Sequence, residues 1–229
     1  MKLRFGISLC YAICCTFAFG DEGFTIKHVP KVGDIHKYRQ AGKFDVNGME
    51  IEFSSLSTQK VIKVADDGAF TVREDVSEAK ANGSAIPDST GQQGNSTTFS
   101  SRGEVIKIEN TGGDDTVYRF ANLGALIAPE KKIAVGGSWS YEIKENKATG
   151  VVPATAKYTL VGEEKLGATN ALKIKFTVIE TVDGGATSDG EIWISKEDYT
   201  MLKLAAKWLN APVSGGHTVS GNISVTLVQ

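Results

Sequence analysis

Cysteine is absent from this 229-residue chain beyond residue 15. The three cysteines lie in the opening stretch MKLRFGISLCYAICCTFAFG, where Lys2 and Arg4 precede an apolar run and Gly20 ends it. A short basic start, an apolar centre and a small final residue are typical of a secretory signal peptide, so we predict cleavage after Gly20. The remaining domain, residues 21–229, then has no thiol for a disulfide, a zinc site or a cysteine nucleophile.

A long apolar segment that could anchor the chain in a membrane is also lacking. The run from Phe5 to Phe19 is shorter than the roughly 18 residues that such an anchor needs, and acidic residues follow it. Lipid attachment at Cys14 or Cys15 is the alternative, although such signals place small residues before the cysteine and a leucine three positions earlier. We therefore expect a secreted or periplasmic protein, with no membrane span after cleavage and with lipidation left open.

An excess of basic residues is missing as well. Without Lys2 and Arg4, 23 of the 25 basic residues remain against 27 acidic ones, a net charge of −4. Nucleic-acid binding needs concentrated positive charge, and anionic membranes attract polybasic segments. The sequence predicts neither partner, and its length suits a single all-β domain over residues 21–229.

Residue patterns for catalysis or metal binding are lacking. His28, His36 and His217 stand far apart, and no G-x-S-x-G elbow or glycine-rich phosphate loop occurs. S-x-x-K tetrads begin at Ser57 and Ser77, but in strands a three-residue offset puts the two side chains on opposite faces. We therefore predict a noncatalytic protein without a metal or a cofactor. Carboxylates from distant strands could still pair, which leaves an unrecognised hydrolase as an alternative.

What the sequence has in quantity is alternation of apolar and polar residues with a period of two. The clearest run is Leu172 to Val178, and tight-turn pairs such as Asn47-Gly48 and Asp183-Gly184 separate such runs. This pattern predicts antiparallel strands that bury one face. The apolar phase changes at Ser54-Ser55, which predicts a one-residue bulge that keeps both apolar sets on the core side.

Two stretches interrupt the alternation. Residues 81–101 are rich in Gly, Ser, Thr, Asn and Gln, which predicts a long solvent-exposed loop. Residues 114–127 space apolar side chains at roughly helical intervals, which predicts one short helix, although Gly124 weakens it. The chain is thus predicted to be all-β with minor α content.

One motif occurs twice, as KVGDIHKY at residues 31–38 and as AVGGSWSY at residues 134–141. In each copy a glycine turn opens a strand, and the side chain two positions before the tyrosine shares its face. We interpret the motif as a structural unit built twice, which predicts pseudo-repeats over about residues 31–110 and 130–229. On this interpretation His36 occupies the structural place of Trp139.

A meander with one apolar face must cover that face. We predict a strongly curved antiparallel sheet, a half-barrel or barrel made of the two pseudo-repeats, with the segment 114–127 packed into its concave side. A sandwich of two sheets is the alternative.

The segment PEKKIAVGGSWSYEI, residues 129–143, resembles secreted bacterial proteins of unknown function that carry Pro-Glu-Lys-x-Val-x-Val-Gly-Asp-x-Trp, although Gly137 stands where they have Asp. Those proteins share a late strand pair similar to Asp189 to Ser195 followed by Met201 to Leu204. More distantly, the layout resembles the lipoprotein-carrier (LolA-like) half-barrel, in which a curved sheet shelters an apolar ligand. The resemblance implies a fold and an exported location, and it brings no catalytic residue.

Three functions are consistent with these observations. The first is a noncatalytic protein that binds an apolar ligand or lipid on the concave face, through the candidate contacts Tyr38, Phe53, Trp139, Tyr141, Ile174 and Phe176. The second is a structural or protein-interaction module of the cell envelope, and the third is the unrecognised hydrolase. A solid core accounts for the same six residues as well as a ligand site does, so the sequence leaves open whether the interior is filled or hollow.

Overall fold

A computed structural model of the chain describes residues 23–46, 48–86, 94–114 and 116–228. The predicted signal peptide, its cleavage point and the candidate lipidation sites Cys14 and Cys15 lie outside the described residues. Within the described ranges, no helix is long and apolar enough to cross a membrane.

The described chain forms one curved antiparallel sheet and one helix. The strands are β1 (Ile35–Val46), β2 (Met49–Val64), β3 (Phe70–Ala81), β4 (Ser84–Ala85), β5 (Asn95–Phe99), β6 (Val105–Glu109), β7 (Ser138–Ile143), β8 (Ala154–Leu166), β9 (Thr169–Glu180), β10 (Thr187–Ser195), β11 (Met201–Val213) and β12 (His217–Leu227). They are ordered β6-β5-β3-β2-β1-β12-β11-β10-β9-β8-β7, and β4 pairs with β3. In this part of the chain β6 and β7 end the sheet without pairing, so the sheet is an open half-barrel. The predicted all-β half-barrel with one short helix is confirmed, and the two-sheet sandwich is not formed.

The chain begins and ends at the middle of the sheet. Strands β1 to β6 extend from the middle to one edge, the chain crosses to β7 at the other edge, and β7 to β12 return to the middle. There β12 pairs with β1, from Tyr38 opposite Leu227 to Asp45 opposite Ser220. The β1–β12 pair is therefore the seam between an N-terminal and a C-terminal half.

The sheet has an inner face that carries the hydrophobic core and an opposite outer face. On β9 the four apolar side chains of Leu172 to Val178 lie on the inner face and are at most 2% exposed, whereas Lys173 and Lys175 lie on the outer face. Full burial of such a side chain contributes about 1.5–3 kcal/mol, and a one-residue slip would turn all four outward. The alternation in the sequence therefore fixes the register of this strand.

The connection between β6 and β7 covers the inner face. Helix α1 (Thr116–Asn122) is shorter than the predicted segment 114–127, and Asp114 Oδ1 accepts a hydrogen bond from the Thr116 N–H (2.8 Å) where the helix starts. Residues 123–128 continue without helical structure, and Leu123 and Ile127 are at most 3% exposed within the core. We call residues 116–128 the strap. It packs on the core-bearing side of the curved sheet, as predicted.

The two copies of the repeated motif form the same turn. The Gly33 N–H donates to Val61 O (2.9 Å), and the Gly136 N–H donates to Leu160 O (2.7 Å). Both glycines have positive φ, 97° and 82°, a conformation that other residues adopt at a cost. The turn is therefore a structural device that the chain builds twice.

A bulge follows each turn at the corresponding place in the neighbouring strand. The β2–β3 register shifts between Val61 and Lys63, and the β8–β9 register shifts between Leu160 and Gly162. The outer limits of the pseudo-repeats, about residues 31–110 and 130–229, stay a prediction.

The prediction of a bulge at Ser54-Ser55 is wrong: the bulge lies in another strand, and it does not keep both apolar sets on the core side. β2 pairs with β1 without interruption through these residues, and the extra residue lies in β3, between Ser77 and Lys80. As a result Ser55 stays in phase with Phe53 on the inner face, and the apolar side chain of Leu56 lies on the outer face.

The predicted loop over residues 81–101 is also wrong in part. Asn95–Phe99 forms β5, which pairs with Phe70 to Glu74 of β3 and stacks the Phe99 ring on Phe70 at 5.3 Å. A β-branched and aromatic segment prefers such a pleated, half-buried surface, and this preference outweighs the polar composition around it. Residues 87–93 of the predicted loop lie outside the described residues.

Candidate functional site

The six side chains predicted to contact a ligand all belong to the inner face. The β1–β2 register places Tyr38 and Phe53 there, in the N-terminal half. The β7–β8–β9 register places the other four in the C-terminal half: Trp139, Tyr141, Ile174 and Phe176. Strands β10, β11 and β12 lie between β9 and β1, so the structure brings the two sets onto one face without joining them in one cluster.

In the C-terminal half the strap occupies the space above these residues. The Trp139 ring stacks on Tyr158 (5.2 Å between centroids), and its Nε1–H donates to Ile127 O (2.8 Å). The Tyr158 hydroxyl donates to Ala125 O (2.8 Å) and accepts from the Ile127 N–H (3.3 Å). These two aromatic residues therefore bind the protein's own backbone, and the interior is filled at this place.

Two side chains fasten the strap from the N-terminal half. Arg102 Nε donates to Ala128 O (2.9 Å), and its guanidinium lies 5.7 Å from the centroid of the Tyr141 ring. His28 Nε2 donates to Leu126 O (3.3 Å). Burial lowers the pKa of His28, and hydrogen bonds to the backbone of Leu126 and Arg102 oppose that change.

Acidification is expected to destabilise the protein through His28. Because burial lowers its folded-state pKa, the unfolded chain takes up the proton first as the pH falls below about 6.5. The free energy of unfolding should then fall by at most about 1.4 kcal/mol per pH unit until the folded-state pKa is reached. Urea titrations from about pH 7.5 to 5.5 measure this slope. His28→Gln should reduce it; equal slopes in His28→Gln and the wild type would contradict the assignment.

The inner face of the N-terminal half carries a polar cluster that sequence reasoning missed. Ser57 Oγ donates to Glu74, Gln40 Nε2 donates to the same carboxylate (3.5 Å), and Ser55 Oγ donates to Gln40 Oε1 (3.3 Å). Tyr38, 3% exposed, lies on this face, and its pKa is raised by burial and by the charges of Asp198 and Glu74. Ser55 and Ser57 follow Phe53 at intervals of two residues, and this spacing indicates that their side chains share the face of Phe53. The sequence prediction missed them because it assumed that the inner face is purely apolar.

A groove of about 760 Å³ crosses the outer face at the seam. Its floor is a row of small side chains in cross-strand register, with Ala41 opposite both Ser54 and Ser224, and Ala205 opposite Ser224. The row thus runs over β2, β1, β12 and β11. Such small side chains leave open space above the sheet. Of the six predicted contact residues, Phe53 also borders the groove, because β2 forms part of its floor, although the Phe53 side chain lies on the inner face.

A second row of residues, parallel to the first, gives the groove a charged side. It contains Glu52, Lys43, Asn222, Lys207 and Asp189, each opposite the next across the strands. Lys43 Nζ lies 2.5 Å from Glu52 Oε1, and Asp189 Oδ2 accepts a hydrogen bond from Thr177 Oγ1 (3.1 Å). The groove is therefore amphipathic, with small side chains along one row and charges of both signs along the other.

A second groove, of about 440 Å³, continues along the outer face toward β8. It shares Asp189 with the first and is lined by Lys157, Lys175 and Glu191. Across the described ranges, no group of three side chains is arranged to hold a metal ion.

The chain has a distant likeness to solved structures. No family model and no curated protein sequence matches it. Among solved structures, one of lipovitellin, studied for its lipid–protein interactions, has 12% identity and a TM-score of 0.49 over 87% of this chain. The chain spans 25% of the length of that lipovitellin chain. A DUF1329 family protein from Desulfovibrio piger has 9% identity and a TM-score of 0.21, over 87% of this chain and 85% of its own.

Both TM-scores lie below 0.5, so neither likeness supports an argument about the fold or the function of this chain. The likeness of the segment around Trp139 to secreted bacterial proteins stays a prediction.

Sequence reasoning could not find the outer groove. Its residues come from five strands and from Gly83 in the turn after β3, and only the pairing of β1 with β12 and the register of each neighbour bring them together. The local sequence around Ala41 or Ala205 reads as an ordinary solvent-facing strand. Alternating patterns predict which face a side chain takes, and they contain no information on which distant strand lies beside it.

Proposed function

We propose that this is an exported, noncatalytic protein that binds the acyl chain of an amphipathic lipid in the outer groove at the seam. The observation that carries the proposal is the groove itself, an open depression of about 760 Å³ on the outer face. The row of small side chains offers contact for an acyl chain, and the charged row beside it offers partners for a headgroup.

The dimensions of the groove support an elongated ligand. It extends from β2 to β10, which is four strand spacings or about 19 Å at the usual separation of strands in a sheet. An acyl chain lying across the strands would cover Ala41, Ser224 and Ala205 in turn. A headgroup would then lie near Lys43 or Lys207.

The surroundings of the groove support binding without catalysis. Its two carboxylates, Glu52 and Asp189, stand on β2 and β10 with three strands between them. Each already has a partner, Lys43 for Glu52 and Thr177 for Asp189. General acid–base chemistry needs a group within hydrogen-bond reach of the reacting atom and free to exchange a proton, which favours binding here.

Replacing Ala41 with phenylalanine tests the groove. The exposed strand position tolerates an aromatic residue, whose ring would fill the middle of the small-residue row. We expect the affinity for a fluorescent fatty acid, measured by titration, to fall by about tenfold or more, equivalent to about 1.4 kcal/mol. Native mass spectrometry of protein from its own host should show a bound lipid that the variant lacks.

The control is Ser140→Phe, which adds the same ring to the outer face of β7, six strands from β1 and outside the groove at the seam; it stands opposite Lys157, which lines only the second groove. It should bind the fluorescent fatty acid like the wild type. Equal affinity in Ala41→Phe and Ser140→Phe, with thermal unfolding unchanged, would contradict a ligand in the groove.

A further inference from the structure

Exposed apolar side chains and lysines gather at the N-terminal end of β1. Val32, Ile35 and Ile62 are 65%, 51% and 43% exposed, values unusual for three neighbouring aliphatic residues. Lys31, Lys60 and Lys63 are exposed beside them. We call these six residues the basic tip.

The fold holds the basic tip together through the first copy of the repeated motif. The Gly33 N–H donates to Val61 O (2.9 Å) and the Val61 N–H donates to Asp34 O (2.9 Å), which fastens the turn to β2. Ile35 stands directly opposite Lys60 on the outer face. Ile62 is the extra residue of the bulge between Val61 and Lys63. The tip is therefore a fixed surface of the sheet.

The second copy of the motif shows which of these residues the fold requires. Its exposed valines, Val135 at 56% and Val161 at 41%, correspond to Val32 and Ile62. The positions of Lys31, Ile35, Lys60 and Lys63 are taken there by Ala134, Ser138, Thr159 and Gly162. The same turn and bulge form without the lysines and without Ile35. The turn and the bulge therefore do not require these four residues.

We propose that the basic tip docks on the surface of an anionic phospholipid bilayer. Aliphatic side chains enter the interface between headgroups and acyl chains, and lysines around them attract the anionic headgroups. This combination of exposed apolar and basic residues is complementary to such a surface.

Nearby acidic residues are few and partly engaged. Asp34 Oδ2 accepts a hydrogen bond from the Lys31 N–H (2.8 Å), and Asp75 pairs with Arg73 (3.4 Å). Asp66 and Asp67 stand in the turn after β2 and would oppose binding. A chain whose net charge repels an anionic surface can still bind it when basic residues meet the surface first, because the attraction acts within about 10 Å.

Cosedimentation with vesicles tests the proposal. The wild type should bind vesicles of phosphatidylcholine with phosphatidylglycerol, bind pure phosphatidylcholine far more weakly, and release as salt rises. The charge variant Lys31→Ala/Lys60→Thr/Lys63→Gln should bind about 100-fold more weakly. The apolar variant Val32→Ser/Ile35→Ser should also lose affinity, and Asp66→Asn/Asp67→Asn should gain it.

The matched control is Val135→Ser/Val161→Thr, which removes apolar side chains from the second copy and should bind like the wild type. Absence of vesicle binding, equal binding to neutral vesicles, or unchanged binding of the charge variant would each overturn the proposal. So would a dimer in light scattering that the apolar variant abolishes, because a second copy would then cover the tip.

The proposal does not depend on the lipid-binding groove. Ala41→Phe should bind anionic vesicles like the wild type, even if it no longer binds a fatty acid. Loss of vesicle binding in Ala41→Phe would mean that the groove, and not the tip, engages the bilayer.

Discussion

Replacing Arg119 with methionine is expected to lower the free energy of unfolding by about 3–5 kcal/mol. Arg119 joins the strap to β9 through two hydrogen bonds to Glu180, at 2.8 and 2.5 Å. Glu180 is 7% exposed and also accepts from the Ala186 N–H (2.7 Å). Methionine keeps the aliphatic stem but leaves the carboxylate buried without its cation. Urea denaturation at neutral pH measures the loss.

Two further variants separate the charge from the packing. Arg119→Met/Glu180→Gln keeps an acceptor for the Ala186 N–H without a buried charge, so it should recover at least half of the lost stability. Arg39→Met breaks the exposed pair with Glu78, whose side chains are 46% and 54% exposed, and should cost much less stability than Arg119→Met because water screens the pair. If Arg119→Met and Arg39→Met lower the free energy of unfolding by similar amounts, the prediction is contradicted, because the pair Arg119–Glu180 then behaves like a solvent-exposed pair.

Truncating Leu123 to alanine is expected to cost about 2–5 kcal/mol. Leu123 is 1% exposed in the core and follows α1, where the strap descends onto the sheet. The lost contacts and the remaining cavity both destabilise the strap. Native-state hydrogen exchange should accelerate at the Ile127 amide, which donates to the Tyr158 hydroxyl.

The control for this truncation is Leu209→Ala, at a 43% exposed position of β11, with an expected effect of about 0.5 kcal/mol or less. An unchanged exchange rate at Ile127 in Leu123→Ala would contradict a cooperative strap. Leu123→Ala also distinguishes a ligand site under the strap from a ligand site in the outer groove. A ligand under the strap should bind more tightly when the strap is loosened, whereas a ligand in the outer groove should bind equally well.

Strand β9 shows why much of the fold could be predicted. Leu172 to Val178 alternate without a break, and every apolar member lies in the core. Nearly all of the free energy that orients such a strand comes from burial of its own side chains, so local sequence suffices. The strap was predictable for the same reason, because Leu123 and Ile127 had to cover an apolar face.

Strand β2 shows where this reasoning fails. Ser55 and Ser57 take the inner face because Gln40 and Glu74 on neighbouring strands satisfy their hydroxyl groups. A buried polar group costs free energy only when it lacks a partner, and the partner here comes from another strand. Leu56 is turned outward as a consequence, against its hydrophobicity.

The candidate sites likewise include features that the local sequence predicts and features that depend on distant strands. The sequence placed all six predicted contact residues on one face, since the face of a side chain follows from local alternation. It could not tell that the strap's backbone would meet Trp139 and Tyr158, nor that an open groove would form on the opposite side.

The sequence by itself determined an antiparallel β meander with one apolar face, a covering segment between its halves, and a glycine turn used twice. These features depend on residues close together in the chain, through the period of two and the conformational freedom of Gly33 and Gly136. Only the tertiary structure decided that β1 pairs with β12, and with it the seam and the groove. Those features depend on which distant strands become neighbours, which is set by the burial and hydrogen bonding of the whole sheet.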